Sequence, residues 1–151
     1  MTLLVPFDGS ALSRTALERA SEFADYRDEE VVALTVIPDD TEFARERGWI
    51  DPDEQYEPGA VCAEFEAAVD EIAPRATYRC EHPETSASMT ATVIDDITRT
   101  IRHVADDVGA SIVFIGSENA GRVSTPVTSV GSPLSEDPRY DVHIVRHSDD
   151  A

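Results

Sequence analysis

The chain has 151 residues, 41% of them hydrophobic, a size at which one domain closes one core without metal or disulfide staples. It carries 31 Asp and Glu against 12 basic residues, for a formal net charge of -19. That excludes non-specific nucleic-acid binding and docking on an anionic membrane, both of which need a cationic face. All the basic residues are Arg and Lys is absent, so a lysine-based phosphate loop is excluded as well. At low salt such a surface repels itself, whereas at molar salt the screening length falls to ~3 Å. The acidity therefore points to the cytoplasm of a salt-accumulating organism more than to a partner. No long apolar run or basic-then-apolar leader is present, which reads as a soluble, unexported protein. Cys62 and Cys80 are too few for a disulfide framework and read as reduced structural thiols.

Thr2 to Phe7 (TLLVPF) is a short apolar strand, with Pro6 placed near its end because proline cannot donate to a ladder. Asp8-Gly9-Ser10 is a turn, and Ser10 an N-cap. A helix runs from Ser10 to Tyr26 with Leu12, Ala16, Ala20, Phe23 and Ala24 on one face. Glu30 to Ile37 is a second buried strand, stopped by Pro38. The acidic stretch 38–58 breaks the pattern and holds the sole tryptophan, Trp49. It reads either as a lid or partner surface, or as a solvated excursion pinned by Trp49 and Tyr56. Ala60 to Ala73 is a second helix with Val61, Phe65, Ala68, Val69 and Ile72 inward, and Ala76 to Cys80 is a polar, edge-like strand.

After a polar connection from His82 to Thr90, Thr92 to Val108 is a helix with Val93, Ile97, Ile101, Val104 and Val108 inward and Gly109 just past its end. Ser111 to Ile115 (SIVFI) is a strand buried on both faces. Gly116 ends it, giving a turn that a side chain would forbid. The stretch from Gly116 to Ser132 is rich in Gly, Ser, Thr and Pro, and it closes on Gly131, Ser132 and Pro133, a helix start. It reads as a plain solvated loop or as an anion site, since bare backbone, hydroxyls and a helix N-terminus suit phosphate. Pro133 to Asp137 is a short helix, Val142 to Val145 the last strand, and 148–151 a frayed acidic tail beyond a domain of residues 1–147.

Strands alternating with helices imply right-handed crossovers and a single doubly wound, parallel, five-stranded α/β sheet. Ligands of such sheets lie at the carboxyl ends of the strands, where the winding reverses. If the first strand and SIVFI are central neighbours, the Asp8 turn and the long loop converge on one crevice.

VPFDGS after the first strand, ALTVIPD at the second and FIGS opening the long loop resemble the universal stress protein family over nearly the whole chain. Together with the acidic, lysine-free composition, the resemblance implies a haloarchaeal-type member. The resemblance implies strand order 3-2-1-4-5, a Rossmann-like sheet of the adenine nucleotide alpha-hydrolase kind. The ATP-binding branch of that family carries Gly, two residues, Gly, nine residues, Gly, then Ser or Thr. Here Gly121, nine residues, Gly131 and Ser132 fit the second half, but four residues separate Gly116 from Gly121, with Asn119 at the spaced position. Pro133 removes one backbone N–H from the far end.

Carried over, the resemblance makes Asp8 the carboxylate that meets a ribose and Val36 a backbone contact to adenine. Gly116, Gly121, Gly131 and Ser132 become the phosphate cradle, with Arg122 adding charge. Each also has a plainer reading: Asp8 as a turn former, Val36 as core, Arg122 as a solvated loop residue. The implied cofactor is ATP with Mg2+, and the implied partner a second copy docked through the last strand at Val142 and Ile144.

The alternative within the same fold is an interaction module that binds no nucleotide. A related adenylating or pyrophosphatase enzyme would need a glycine-rich phosphate loop after the first strand, where this chain reads DGSALS. His143 and His147 are too far apart on a strand end to form a metal pair, and no metal site is expected. No residue is read as a catalytic base, so any ATP turnover would be slow.

Overall fold

Five short apolar runs become five parallel strands. The computed structural model describes residues 1–83, 93–118 and 139–148. The elements are β1 (Thr2–Pro6), α1 (Ala11–Arg27), β2 (Glu30–Val36), α2 (Thr41–Glu46), α3 (Pro58–Ile72), β3 (Thr77–Glu81), α4 (Val93–Asp107), β4 (Ala110–Gly116) and β5 (Asp141–Val145). The sheet order is β3-β2-β1-β4-β5, so the doubly wound sheet expected from the sequence is the sheet found. Every pairing is parallel, running from Thr2↔Glu30 to Pro6↔Leu34 in β1–β2 and from Ile112↔Asp141 to Gly116↔Val145 in β4–β5. Pro6 closes β1, and the next N–H, of Phe7, resumes pairing by donating to Leu34 O at 2.7 Å. That is how a central strand tolerates a proline.

The sheet carries an apolar cluster on each face. On one face Leu3, Val5 and Ala33 pack with α1 and α3 through Ala16, Leu17, Ala20, Val61, Phe65 and Val69. On the other, Leu4, Leu34, Val113 and Ile115 pack with α4 through Ile101, Val104 and Ala105. The apolar stripes expected on the helices face these clusters. α1 buries more than its stripe, because Ser13 and Thr15 are also enclosed; Ser13 Oγ donates to Ser10 O at 2.9 Å. Ser10 caps α1, accepting from the Ser13 N–H at 3.2 Å. Gly109 follows α4 with φ +64, the left-handed conformation a helix end asks for.

Three expectations are corrected. The stretch 38–58 holds a helix, α2, capped by Asp40, whose carboxylate accepts from the Phe43 N–H at 3.0 Å. Six residues are too few to show a helical period, so the sequence hid it. Cys62 on α3 and Cys80 on β3 are not separate thiols but a disulfide, with Cα atoms 6.5 Å apart. Gly116 does not end its strand by an unusual turn. It pairs with Val145 inside β4, and what requires glycine is space: an added β-carbon would lie 2.8 Å from Leu12 Cβ. The helix expected over Pro133–Asp137 and the acidic tail from residue 149 lie outside the described residues.

Candidate ligand-binding site at the carboxyl ends of the strands

Three neighbouring strands end at one pocket. Pro6, Phe7 and Asp8 reach it from β1, Leu34 and Val36 from β2, and Ile115 and Gly116 from β4. α4 adds Ile94, Ile97, Thr98 and Ile101, and the start of α1 adds Ser10, Leu12 and Ser13. Parallel strands make this juxtaposition obligatory, because their carboxyl ends all lie on one side and the helices start there.

The Asp8-Gly9-Ser10 turn is held from several directions. Asp8 Oδ1 accepts from the Ser10 N–H at 3.0 Å, which folds the turn on itself. The turn's carbonyls have left the sheet and need other donors. Trp49 Nε1 donates to Asp8 O at 3.0 Å, and Arg14 Nε donates to Gly9 O at 3.2 Å. Thr35 Oγ1, buried on β2, donates to Phe7 O at 2.9 Å. Gly9 has φ +80 and lies so close to Phe65 that an added β-carbon would meet the ring's Cε1 and Cζ at 2.7 and 3.1 Å.

The stretch 38–58 forms part of the pocket wall. Phe43, Arg47 and Trp49 all line it. Trp49 sits edge-on to Phe43 at 5.5 Å and to Phe65 at 5.6 Å, and Phe65 is edge-on to Phe7 at 5.7 Å. This aromatic chain ties α2 to α3 and to the end of β1. Arg47 lies over the Phe43 ring, 4.8 Å from its centre, with Nη1 3.4 Å from Asp8 Oδ2. Tyr56 anchors the far end of the stretch by donating to Pro38 O at 2.7 Å. Burial, with Asp39 and Asp40 nearby, pushes its pKa up to about 12.

The pocket thus combines an apolar wall with one carboxylate–guanidinium pair, a form suited to a flat apolar group that carries polar substituents. Of the residues singled out in the sequence, Asp8, Val36 and Gly116 are brought together here. Gly121, Arg122, Gly131 and Ser132 lie outside the described residues. Phe43, Arg47 and the α4 residues are additions that the sequence did not single out. The only hint was the lone Trp beside an Arg in an otherwise acidic stretch. Among the described residues no three His, Cys, Asp or Glu side chains gather as metal ligands, and no helix is long and apolar enough to cross a membrane. His143 stacks on Phe114 at 4.8 Å, away from the pocket lining.

The profile of the Universal stress protein family matches residues 1–146. A search of curated protein sequences finds no match. Among solved structures, a universal stress protein in complex with cAMP is 22% identical, with a TM-score of 0.54 over 98% of this chain and 97% of that one. The universal stress protein from Archaeoglobus fulgidus in complex with dAMP is 17% identical, with a TM-score of 0.59 over 97% and 98%. A protein of the same family from Burkholderia pseudomallei is 22% identical, with a TM-score of 0.57 over 95% and 94%.

Proposed function

The chain belongs to the universal stress protein family, and we propose that it is a regulatory member that binds an adenine nucleotide, ATP or a relative of it. The observation that carries this reading is the meeting of Asp8, Val36 and Gly116, from three adjacent strand ends, in one pocket. That is where a doubly wound sheet presents ligands. The residues present fit the nucleoside half. Leu34, Val36, Ile94, Ile97 and Ile101 offer an apolar wall for a base, and Asp8 offers an acceptor for a sugar hydroxyl. The phosphates would fall to the loop that opens at Gly116, with Gly121, Arg122, Gly131 and Ser132 as the cradle. A triphosphate would bring its own Mg2+.

The complexes of two relatives with cAMP and dAMP favour this reading over a module that binds no nucleotide. No residue is assigned to catalysis, and at most slow turnover is proposed. The reading includes a homodimer docked through β5, an edge strand whose Val142 and Ile144 are only partly buried. It also places the protein in the cytoplasm of a salt-accumulating, haloarchaeal-type cell, from the net charge of -19.

The test is nucleotide content. Protein purified in molar KCl is denatured, and the supernatant is run on ion exchange against ATP, ADP and AMP. Adenine nucleotide near one per chain, lost in Gly131→Val, supports the reading. No nucleotide, with no thermal stabilisation by ATP, AMP or cAMP, refutes it and leaves the interaction module. Sedimentation of the wild type and of Ile144→Asp reports on the dimer.

A further inference from the structure

We propose that Arg47 is a specificity-determining residue of this pocket: it binds an anionic group on the ligand's sugar, so that the site favours a nucleoside 2′- or 3′-phosphate over the unsubstituted nucleoside. The proposal rests on the nucleotide reading above and goes beyond it by naming the ligand class and the residue that selects it.

Arg47 lines the pocket with its side chain 29% exposed and its guanidinium carbon 4.8 Å from the centre of the Phe43 ring. Among the described residues its polar contact is one long bond, Nη1 to Asp8 Oδ2 at 3.4 Å. A guanidinium has five N–H donors in a planar fork and matches a phosphate with two of them at once. Most of that fork is therefore available to a ligand. Arg47 is also the one cation among the described lining residues, which include two acids, Asp8 and Glu118.

Asp8 accepts from the Ser10 N–H with one oxygen and from Arg47 with the other. A carboxylate has about four acceptor sites, so Asp8 can still accept from a sugar hydroxyl while Arg47 holds Oδ2. A phosphate on the sugar would meet Arg47 without parting it from Asp8, and it would be shielded from the carboxylate by the positive charge between them. In dinucleotide-binding folds an acidic residue takes a ribose hydroxyl, whereas an arginine accommodates a sugar phosphate. Arg47 is well placed for the task, because Trp49, two residues on, is tied to Asp8 O.

The experiment is calorimetric titration of wild-type protein, Arg47→Gln and Arg47→Lys with adenosine, 5′-AMP, 2′-AMP and 3′-AMP. Wild type is expected to bind 2′-AMP or 3′-AMP at least about tenfold more tightly than adenosine, as charged hydrogen bonds warrant. Arg47→Gln is expected to abolish that preference, read as the ratio of 2′- or 3′-AMP affinity to adenosine affinity, whatever the change in adenosine binding itself. Arg47→Lys is expected to retain part of it. A general loss of fold would weaken all four ligands together, so the ratio isolates the role of Arg47. Equal losses for all four ligands, or an unchanged ratio, overturn the proposal while the nucleotide reading stands. Failure of all four to bind the wild type also overturns the proposal, and ATP titrated alongside then decides whether the nucleotide reading stands.

Discussion

A β-carbon on Gly9 would lie 2.7 Å from Phe65 Cε1. The ring cannot step aside, because Phe7 and Trp49 hold its flanks. The pocket's turn is thus shaped by a residue of α3, far away in the sequence. Gly9→Ala meets two penalties, the left-handed backbone at φ +80 and the ring. The backbone alone costs about 1–2 kcal/mol. We expect a loss of at least that size in the unfolding free energy measured in urea, together with weaker ligand binding. Wild-type stability would mean that Phe65 is free to move.

Trp49 serves the site through one hydrogen bond and two edge-on ring contacts. Trp49→Phe keeps most of the packing and orphans the Asp8 carbonyl, which should cost about 1 kcal/mol. Trp49→Ala should cost clearly more, by opening the gap between Phe43 and Phe65. As the sole tryptophan, Trp49 also reports on the pocket directly. Its emission in the wild type should change on ligand binding and not on adding matched salt.

The Cys62–Cys80 bridge closes a loop with a sequence separation of 18. Loop-closure entropy assigns such a bridge about 3 kcal/mol. Unfolding in urea with and without a dithiol reductant measures the difference. Thiol titration of the unreduced, denatured chain should find no free thiol, and finding two would refute the bridge.

Burial pushes the pKa of His143 below its usual 6.5, and Arg19 nearby pushes the same way. The folded protein therefore favours the neutral ring, whereas the unfolded chain takes up a proton first as pH falls. The resulting stability is present above about pH 6.5 and is lost as pH drops through the folded value. Unfolding free energies on the acid side should fall with pH in the wild type and fall less in His143→Phe, which keeps a ring against Phe114.

The sheet was legible in the sequence because its evidence is local. TLLVPF, VVALTVI and SIVFI are apolar runs long enough to be strands, and the helical stripes between them have the right period. Part of the pocket was legible too: Asp8 and Gly116 stand at strand ends, while Val36 was singled out by the family resemblance alone. The rest was not. Phe43, Arg47 and Trp49 lie in an acidic stretch whose one helix is too short to show a pattern, and they reach the site through contacts with Phe65 and Asp8 that lie far off in the sequence. The disulfide was hidden because neighbouring elements, not spacing, bring Cys62 and Cys80 together. Gly116 was read as a backbone requirement, whereas its constraint is the approach of Leu12.

The bridge also makes the two rims of the sheet unequal. β3 and β5 each have a single strand neighbour. β3 cannot peel away without pulling α3, and with it Phe65, out of the core, because Cys80 is fastened to Cys62. β5 has no such covalent anchor, since the chain's two cysteines are both in that bridge. In a protomer on its own, amide protons of β3 should therefore exchange only when a larger unit opens, while those of β5 are released by strand separation alone. The sheet frays from one side.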